Sequence, residues 1–495
     1  MKNLIDVLEK NSKGKKGDKT FIFYESKDYS FKDIVILINQ TCNYFEKSNL
    51  KYGDRIVLIL ENSIEFVILY FASMKFGLII NLSPIYLSPS EASNNIKDIK
   101  PKLVFCSEKF NSLKNIKFFK KKIQIIKNKN FLNFIIKYKK EYKRKKINNE
   151  DIAVLYYSSG STGKSKLIKM SHRAIYNSQK MQLDSPLMGS GDNHLCILPL
   201  AHTSSLRSTL KFCAFNHRTV YLYKNFWSIR GTILDIIEKY KITFIMTVPS
   251  ILSMMNTIFS KDLNRLQKIK SLKFVACGSS YLSKDVADKF IDTFNVNIIN
   301  IYGLSETCAI SMTDYKDKKF TLNSVGKILK SIKFKIINKN NKLSKNNEAG
   351  ELCVKTPAIY SGYINDKNQI LNQQYFKTGD IFTRSDDGHL FFIERKKNII
   401  IKSGINISAR EIDTTILKSN RIADTFTTST SDIFHGEVPI SYIVPLKKNF
   451  DLSKLEVFCK KRLGEFKVPT IFKILKSIPR SPTGKIRFSL LERQN

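Results

Sequence analysis

The chain has 495 residues, enough for two or more domains with separate cores, and its 42% hydrophobic and 11% aromatic content excludes a disordered polypeptide. Its eight cysteines are scattered and form no C-x-x-C pair, so they read as buried or incidental thiols of a reducing compartment, with no zinc site or disulfide framework. The formal charge of +40 points towards nucleic acid only if it is concentrated, and here lysine runs along the whole chain beside isoleucine and asparagine, as in KKIQIIKNKN and IINKNNKLSKNN.

The first residues, MKNLIDVLEKNSKGKKGDK, contain no apolar run of signal-peptide length, and RQN at the far end carries no lipidation or peroxisomal signal. A cytoplasmic protein is expected. Residues 56–60, IVLIL, predict a short buried strand, and 63–76 a buried or amphipathic helix. The apolar run from Phe66 to Leu82 is interrupted by Lys75 and Gly77 and falls short of the ~20 residues of a membrane span. It reads instead as a core helix followed by a strand near Leu78–Leu82. A further strand is expected at Leu103–Cys106, and the basic segment 107–150 reads as a connection of short elements whose densest tract, Lys114–Lys146, would attract anions.

The stretch 154–172, VLYYSSGSTGKSKLIKMSH, joins a β-prone run to a Ser/Thr/Gly loop, with helix-compatible sequence beginning near His172. Gly160 and Gly163 let the backbone approach an anion, Ser158, Ser159, Ser161 and Thr162 offer hydroxyl and N–H donors, and Lys166 adds charge. Gly163-Lys164-Ser165 reproduces the end of a P-loop, whose first glycine would fall on Ser158; a surface turn is the plainer alternative. Beyond it, His172–Met188 reads as a helix and Leu195–His202 as a strand ending in a histidine, where ligand sites of parallel sheets lie. Residues 244–248 and 273–277 repeat the buried-strand pattern. Ile298–Tyr302 leads into Gly303-Leu304-Ser305-Glu306-Thr307, where Glu306 reads either as a Mg²⁺ ligand or as part of a helix start capped by Ser305. The texture is α/β throughout.

Taken together, YYSSGSTGKSKLIKMSH, LPLAH, CGSSYLS, IYGLSET, GELCVKTPAIYSGY, YFKTGD, ERKKNIIIKSGINISAREID and PRSPTGKIRF resemble, in order and spacing, the motifs of the AMP-forming adenylate ligases. That superfamily comprises acyl- and aryl-CoA synthetases, nonribosomal-peptide adenylation domains and luciferases. The resemblance covers nearly the whole chain. It implies a large α/β N-terminal domain with parallel-rich sheets over residues 1–396 and a small mobile α+β domain over 397–495. It also implies ATP, Mg²⁺ and coenzyme A as reactants and cofactor.

By the same resemblance, Asp380 takes the ribose hydroxyls, Arg395 contacts the ribose region and Tyr302 lies beside the adenine next to Gly303. Glu306 is the metal ligand, with Thr162 and Ser305 near the phosphates. Lys485 reaches the reacting carboxylate, Lys397 is the hinge, and Gly404 leaves room for the thiol arm. His202, also expected to be catalytic, borders the acid with Thr203, Gly278, Ser279 and Leu304, and Arg207, about a helical turn beyond His202, is a further candidate for the pocket. The chain departs from the usual pattern at Ser165, Leu167, Ser305, Glu394 and Asn398, none of which removes a group that adenylation needs.

No aspartate follows His202 to hold an α-amino group, so a fatty or aryl acid is expected. Arg207 would bind a second carboxylate if it faced the pocket, but an outward-facing arginine is the commoner disposition. The expected activity is acid:CoA ligation. A ligase serving a separate acyl carrier protein, a non-catalytic nucleotide- or acyl-binding homologue and, remotely, a nucleic-acid binder are the alternatives.

Overall fold

The computed structural model describes residues 3–116, 123–126, 130–157, 166–185, 187–188, 191–317, 323–364, 374–403, 405–447, 449–480 and 486–491. By internal packing the chain divides into two compact units. One comprises Met1–Lys333 with Lys355–Gln374, the other Phe334–Val354 with Tyr375–Asn495. The antiparallel sheet that precedes Lys397 therefore groups with the residues that follow it.

Among its described residues the first unit holds two sheets. One runs Ile123–Ile126, Leu103–Ser107, Arg55–Ile59, Ile79–Leu82, Ile152–Tyr157 and Leu167–Ser171, parallel except for the last pair. The other has a parallel centre, Asn297–Leu304, Phe274–Gly278, Phe244–Thr247, Asn193–Cys196, Thr219–Leu222 and Thr20–Tyr24, with antiparallel strands at both edges. The short apolar runs read from the sequence are these buried strands, as all-parallel pairing with both faces covered requires.

Helix Ile64–Phe76 starts at Ser63, whose side chain accepts from Phe66 N–H, and stops at Gly77, whose φ of 87° only glycine adopts readily. Every one of its 13 residues is buried, so it has no polar face. Such a helix is held by packing on all sides. Lys75 is accommodated by an ion pair with Glu9 at 2.6 Å. No helix among the described residues is long and apolar enough to cross a membrane.

The second unit contains, apart from the strand-end residues Lys333 and Lys355, the antiparallel sheet Lys333–Ile337, Gly350–Lys355, Phe376–Arg384 and Leu390–Arg395. Its other sheet is built on the long hairpin Ile422–Asp432 and Gly436–Pro445, flanked by Ile399–Lys402, Ile405–Ser408 and Ile471–Ile474. Helices Ala409–Leu417 and Leu452–Leu463 cover it with Ile412, Ile416, Leu455 and Cys459.

Three local expectations are corrected. Helix His172–Gln182 ends six residues before Met188, ahead of Pro186, which cannot continue it. The strand expected to reach His202 is only Asn193–Cys196, because the chain turns at Pro199, whose carbonyl accepts from His202 N–H at 3.0 Å. The stretch just before His172 is not loop but the strand Leu167–Ser171.

Candidate active site

The Ser/Gly loop joins antiparallel neighbours, with Tyr157 opposite Leu167 and Tyr156 opposite Ile168. A P-loop would instead run from a strand directly into a helix. Ser158, Ser159, Gly160, Ser161, Thr162 and Gly163 lie outside the described residues, as do Gly404 and Lys485. Lys166, at the loop's far end, holds its ammonium 4.9 Å from the centroid of the Tyr363 ring.

Tyr363 also donates its hydroxyl to Glu306 Oε1 at 3.1 Å. Burial pushes its ionisation well up, and the Glu306 carboxylate pushes it further, so Tyr363 remains a donor at neutral pH. The loop lysine and the acidic residue are thus gathered on one tyrosine. Tyr363 was not singled out from the sequence, although it lies in the quoted segment AIYSGY.

Glu306 occupies a tight hairpin turn between Asn297–Leu304 and Cys308–Met312, with Leu304 opposite Cys308. The helix-start reading of Ser305 is therefore overturned: a turn followed by a strand takes its place. Gly303 is required there, since a Cβ would run into the Cys308 carbonyl. The carbonyl of Glu306 accepts from Tyr360 N–H at 2.8 Å, and residues 302–306 are half-buried. Carboxylate oxygen suits Mg²⁺, which commonly takes one or two carboxylates and completes its shell with phosphate oxygens and water.

The LPLAH segment is fixed by Asn62, a buried residue the sequence reading missed. Its Nδ2 donates to the carbonyls of Leu198 at 2.9 Å and Tyr223 at 3.0 Å, and its Oδ1 accepts from Leu200 N–H at 2.7 Å. His202 then stacks on Tyr86 at 6.3 Å and leads into the short helix Thr203–Ser205. Ser279, with φ of 70°, donates to Ser204 Oγ at 2.9 Å, bringing the segment after Gly278 against the one after His202.

Arg207 is not outward-facing. It is only 6% exposed and starts, with Leu206, a π-helical stretch through Lys211. Its guanidinium contacts Cys308, directly opposite Leu304. His202, Thr203, Gly278, Ser279, Leu304 and Arg207 are thus parts of one linked neighbourhood.

In the second unit Asp380 and Arg395 face each other in register on neighbouring strands, and Arg395 Nε donates to Asp380 Oδ1 at 2.9 Å. The Asp380 side chain is 2% exposed and the Arg395 side chain 35%, so the carboxylate is deep and the guanidinium at the rim. Glu394, beside them, accepts from Ser408 Oγ at 2.7 Å and Arg410 N–H at 2.8 Å, joining the strand to the start of helix Ala409–Leu417. Lys397 lies in the single turn Lys396–Asn398 that follows.

This fold and these motifs define an enzyme of the AMP-forming adenylate ligase superfamily. The chain belongs to the AMP-binding enzyme family, whose model matches residues 8–364, while the AMP-binding enzyme C-terminal domain matches 411–485. It is 26% identical over 489 residues to 4-coumarate–CoA ligase-like 6 of Arabidopsis thaliana, covering 93% of this chain and 84% of that protein. It is also 26% identical over 481 residues to 4-coumarate–CoA ligase of Pinus taeda, covering 92% and 88%. In fold it resembles ATP-bound MatB from Rhodopseudomonas palustris, with a TM-score of 0.89, 20% identity and coverage of 100% and 99%. O-succinylbenzoate Coenzyme A Synthetase (MenE) from Bacillus subtilis, in complex with ATP and magnesium ion, is similar with a TM-score of 0.84, 24% identity and coverage of 98% and 99%.

Proposed function

We propose that the protein is an ATP-dependent acid:CoA ligase that converts a carboxylic acid into an acyl-adenylate, releasing pyrophosphate, and then into an acyl-CoA thioester, releasing AMP. The observation that carries this reading is the Lys166–Tyr363–Glu306 cluster at the end of the Ser/Gly loop, which sets a cation and a carboxylate on one aromatic ring. The activities named for the 4-coumarate–CoA ligases support it.

The reaction brings a carboxylate against a polyphosphate, so negative charge must be neutralised as it builds on the transferring atoms. Glu306 and Thr162 would hold Mg²⁺, which when bound supplies that neutralisation. Ser158, Ser159, Gly160, Ser161 and Gly163 wrap the phosphates, and Lys166 adds charge. Tyr302, Gly303 and Ser305 border the nucleotide. Asp380 accepts from the ribose hydroxyls, its carboxylate oriented by Arg395. Lys485 pairs with the reacting carboxylate, which attacks the α-phosphorus in line with no general base, being ionised already at neutral pH. Lys397 serves as the hinge of a mobile domain from 397 to 495, and Gly404 as the passage for the thiol.

The test is pyrophosphate release from MgATP across short, long, aryl and dicarboxylic acids, with and without coenzyme A, for the wild type and Lys485→Ala. Release with some acid, lost in the variant and made continuous by coenzyme A, is expected. Release that stalls after one equivalent even with coenzyme A would replace this acceptor with a carrier protein. Nucleotide binding without release for any acid would reduce the chain to a binding protein.

A further inference from the structure

Two cations are buried together beside the residues assigned to the acid. Arg207 is 6% exposed and Lys211 3%, and both belong to the π-helical stretch Leu206–Lys211. Widened turns of this kind are rare and recur at functional sites. Arg207 Nε has no hydrogen-bond partner among the described residues, and neither have the hydroxyls of Ser208 and Thr209 on the same stretch.

The groups that act electrostatically on Arg207 are the Cys308 thiol and the Tyr156 hydroxyl; those acting on Lys211 are Cys308 and Arg207 itself. No carboxylate of a described residue is among them. Burial lowers the proton affinity of both cations, and the Lys211 ammonium, with Arg207 beside it, is brought down to about 8. A buried charge without a counter-ion is strongly unfavourable, and two neighbouring like charges are worse. Among the described residues the cluster is therefore incomplete as a structural ion network.

Its position says which anion would complete it. Cys308 is opposite Leu304, one residue from Gly303 and two from Glu306. Ser204, three residues before Arg207, is hydrogen-bonded to Ser279. The cations thus adjoin the neighbourhood of the acid, separated along the chain from His202 by more than a helical turn.

We propose that Arg207 and Lys211 form an anion subsite for the far end of the acid, so that the enzyme's substrates are dicarboxylic acids or acids bearing an equivalent terminal anion. A planar guanidinium suits a carboxylate, and the ammonium supplies a second charge-assisted donor. The expectation of a simple fatty or aryl acid is narrowed accordingly. The inference rests on the ligase reading for the fate of the other carboxylate, and on geometry alone for the subsite.

The experiment compares dicarboxylic acids with monocarboxylic acids of equal length, in pyrophosphate release and, without ATP, in titration calorimetry. The proteins are the wild type, Arg207→Met, Lys211→Met and Arg207→Lys. The expected result is a wild-type preference in kcat/KM for the dicarboxylic partner, reduced by roughly a hundredfold in Arg207→Met, as expected when a buried polar site loses its complement. Partial rescue is expected in Arg207→Lys. Equal turnover of both series, or equal loss for both in Arg207→Met, would overturn the subsite and leave the ligase standing. Dicarboxylate binding that disappears in Arg207→Met, without pyrophosphate release from any protein, would leave the subsite and sink the ligase. Because removing an uncompensated buried charge relieves desolvation, the Met variants are expected to fold.

Discussion

Replacing Asp413 by asparagine should stabilise the second unit at alkaline pH and do little in acid. Asp413 lies in helix Ala409–Leu417, and its Oδ1 accepts from Thr427 Oγ1 at 2.7 Å. Although the residue is partly exposed, its carboxyl end points inward against Thr425 and Thr427, which are 5% and 2% exposed. Burial, with the Glu394 carboxylate adding to it against the threonine hydrogen bonds, raises its pKa from 3.8 to about 7. A carboxyl whose folded pKa is raised contributes stability that is complete below its unfolded pKa and lost as pH climbs to the folded one. The window is therefore pH ~4 to ~7. Carried through that linkage, the difference amounts to about 4 kcal/mol, and solvent at the outer side of the residue brings the expectation to roughly 2 kcal/mol. Hydrogen exchange of the helix amides at pH 5 and pH 8, for wild type and Asp413→Asn, measures it directly. The variant's advantage should grow with pH across the window. An advantage that is the same at both pH values would refute the reasoning, since all other carboxylates are common to the two proteins.

Glu306→Gln keeps the shape and the contact with Tyr363 but removes the charge, and should lower kcat for pyrophosphate release by about 10²–10³ with little change in melting temperature. Asp380→Asn deprives Arg395 of its carboxylate and should raise the KM for ATP by roughly tenfold, read by ATP titration at saturating acid. Asn62→Ala leaves the buried Leu200 N–H without its acceptor and takes a donor from the Leu198 and Tyr223 carbonyls, and should destabilise by about 1–3 kcal/mol, measured by denaturant titration, with a higher KM for the acid as the His202 segment loosens. Ile68→Ala opens a hole in a fully enclosed helix and should cost about 2–5 kcal/mol in the same titration.

The strands were legible because burial on both faces leaves short, nearly unbroken apolar runs; 56–60, 244–248 and 273–277 all lie within a residue of the observed elements. Local chemistry alone could not decide Glu306, because Ser305 followed by polar residues satisfies a helix start as well as it does a turn. The hairpin is decided by Gly303 and by the partner strand, whose pairing is non-local. Arg207 was misjudged for a related reason. Exposure preference is an average over arginines, and only the packed helix reveals that this one has been drawn inside. Asn62 carried a faint signal, a polar residue directly after a buried strand, but nothing in the sequence tells that its amide reaches Leu198 and Tyr223.

The parallel pairing of Thr20–Tyr24 with Thr219–Leu222 carries a consequence for synthesis. Ile22 waits for Val220, about 200 residues further on. At 5–20 residues per second the interval is about 10–40 s, long compared with hairpin formation or hydrophobic collapse. Throughout it the early strand has no neighbour on that side, and the apolar helix Ile64–Phe76 has been translated with part of its surroundings still missing. The nascent chain thus passes through a stage in which its apolar surface is available to chaperones, and to other nascent chains. Slowing elongation just before residue 219 should lengthen that stage, and nascent-chain yield should then depend on chaperone supply more steeply than the finished enzyme's stability would imply.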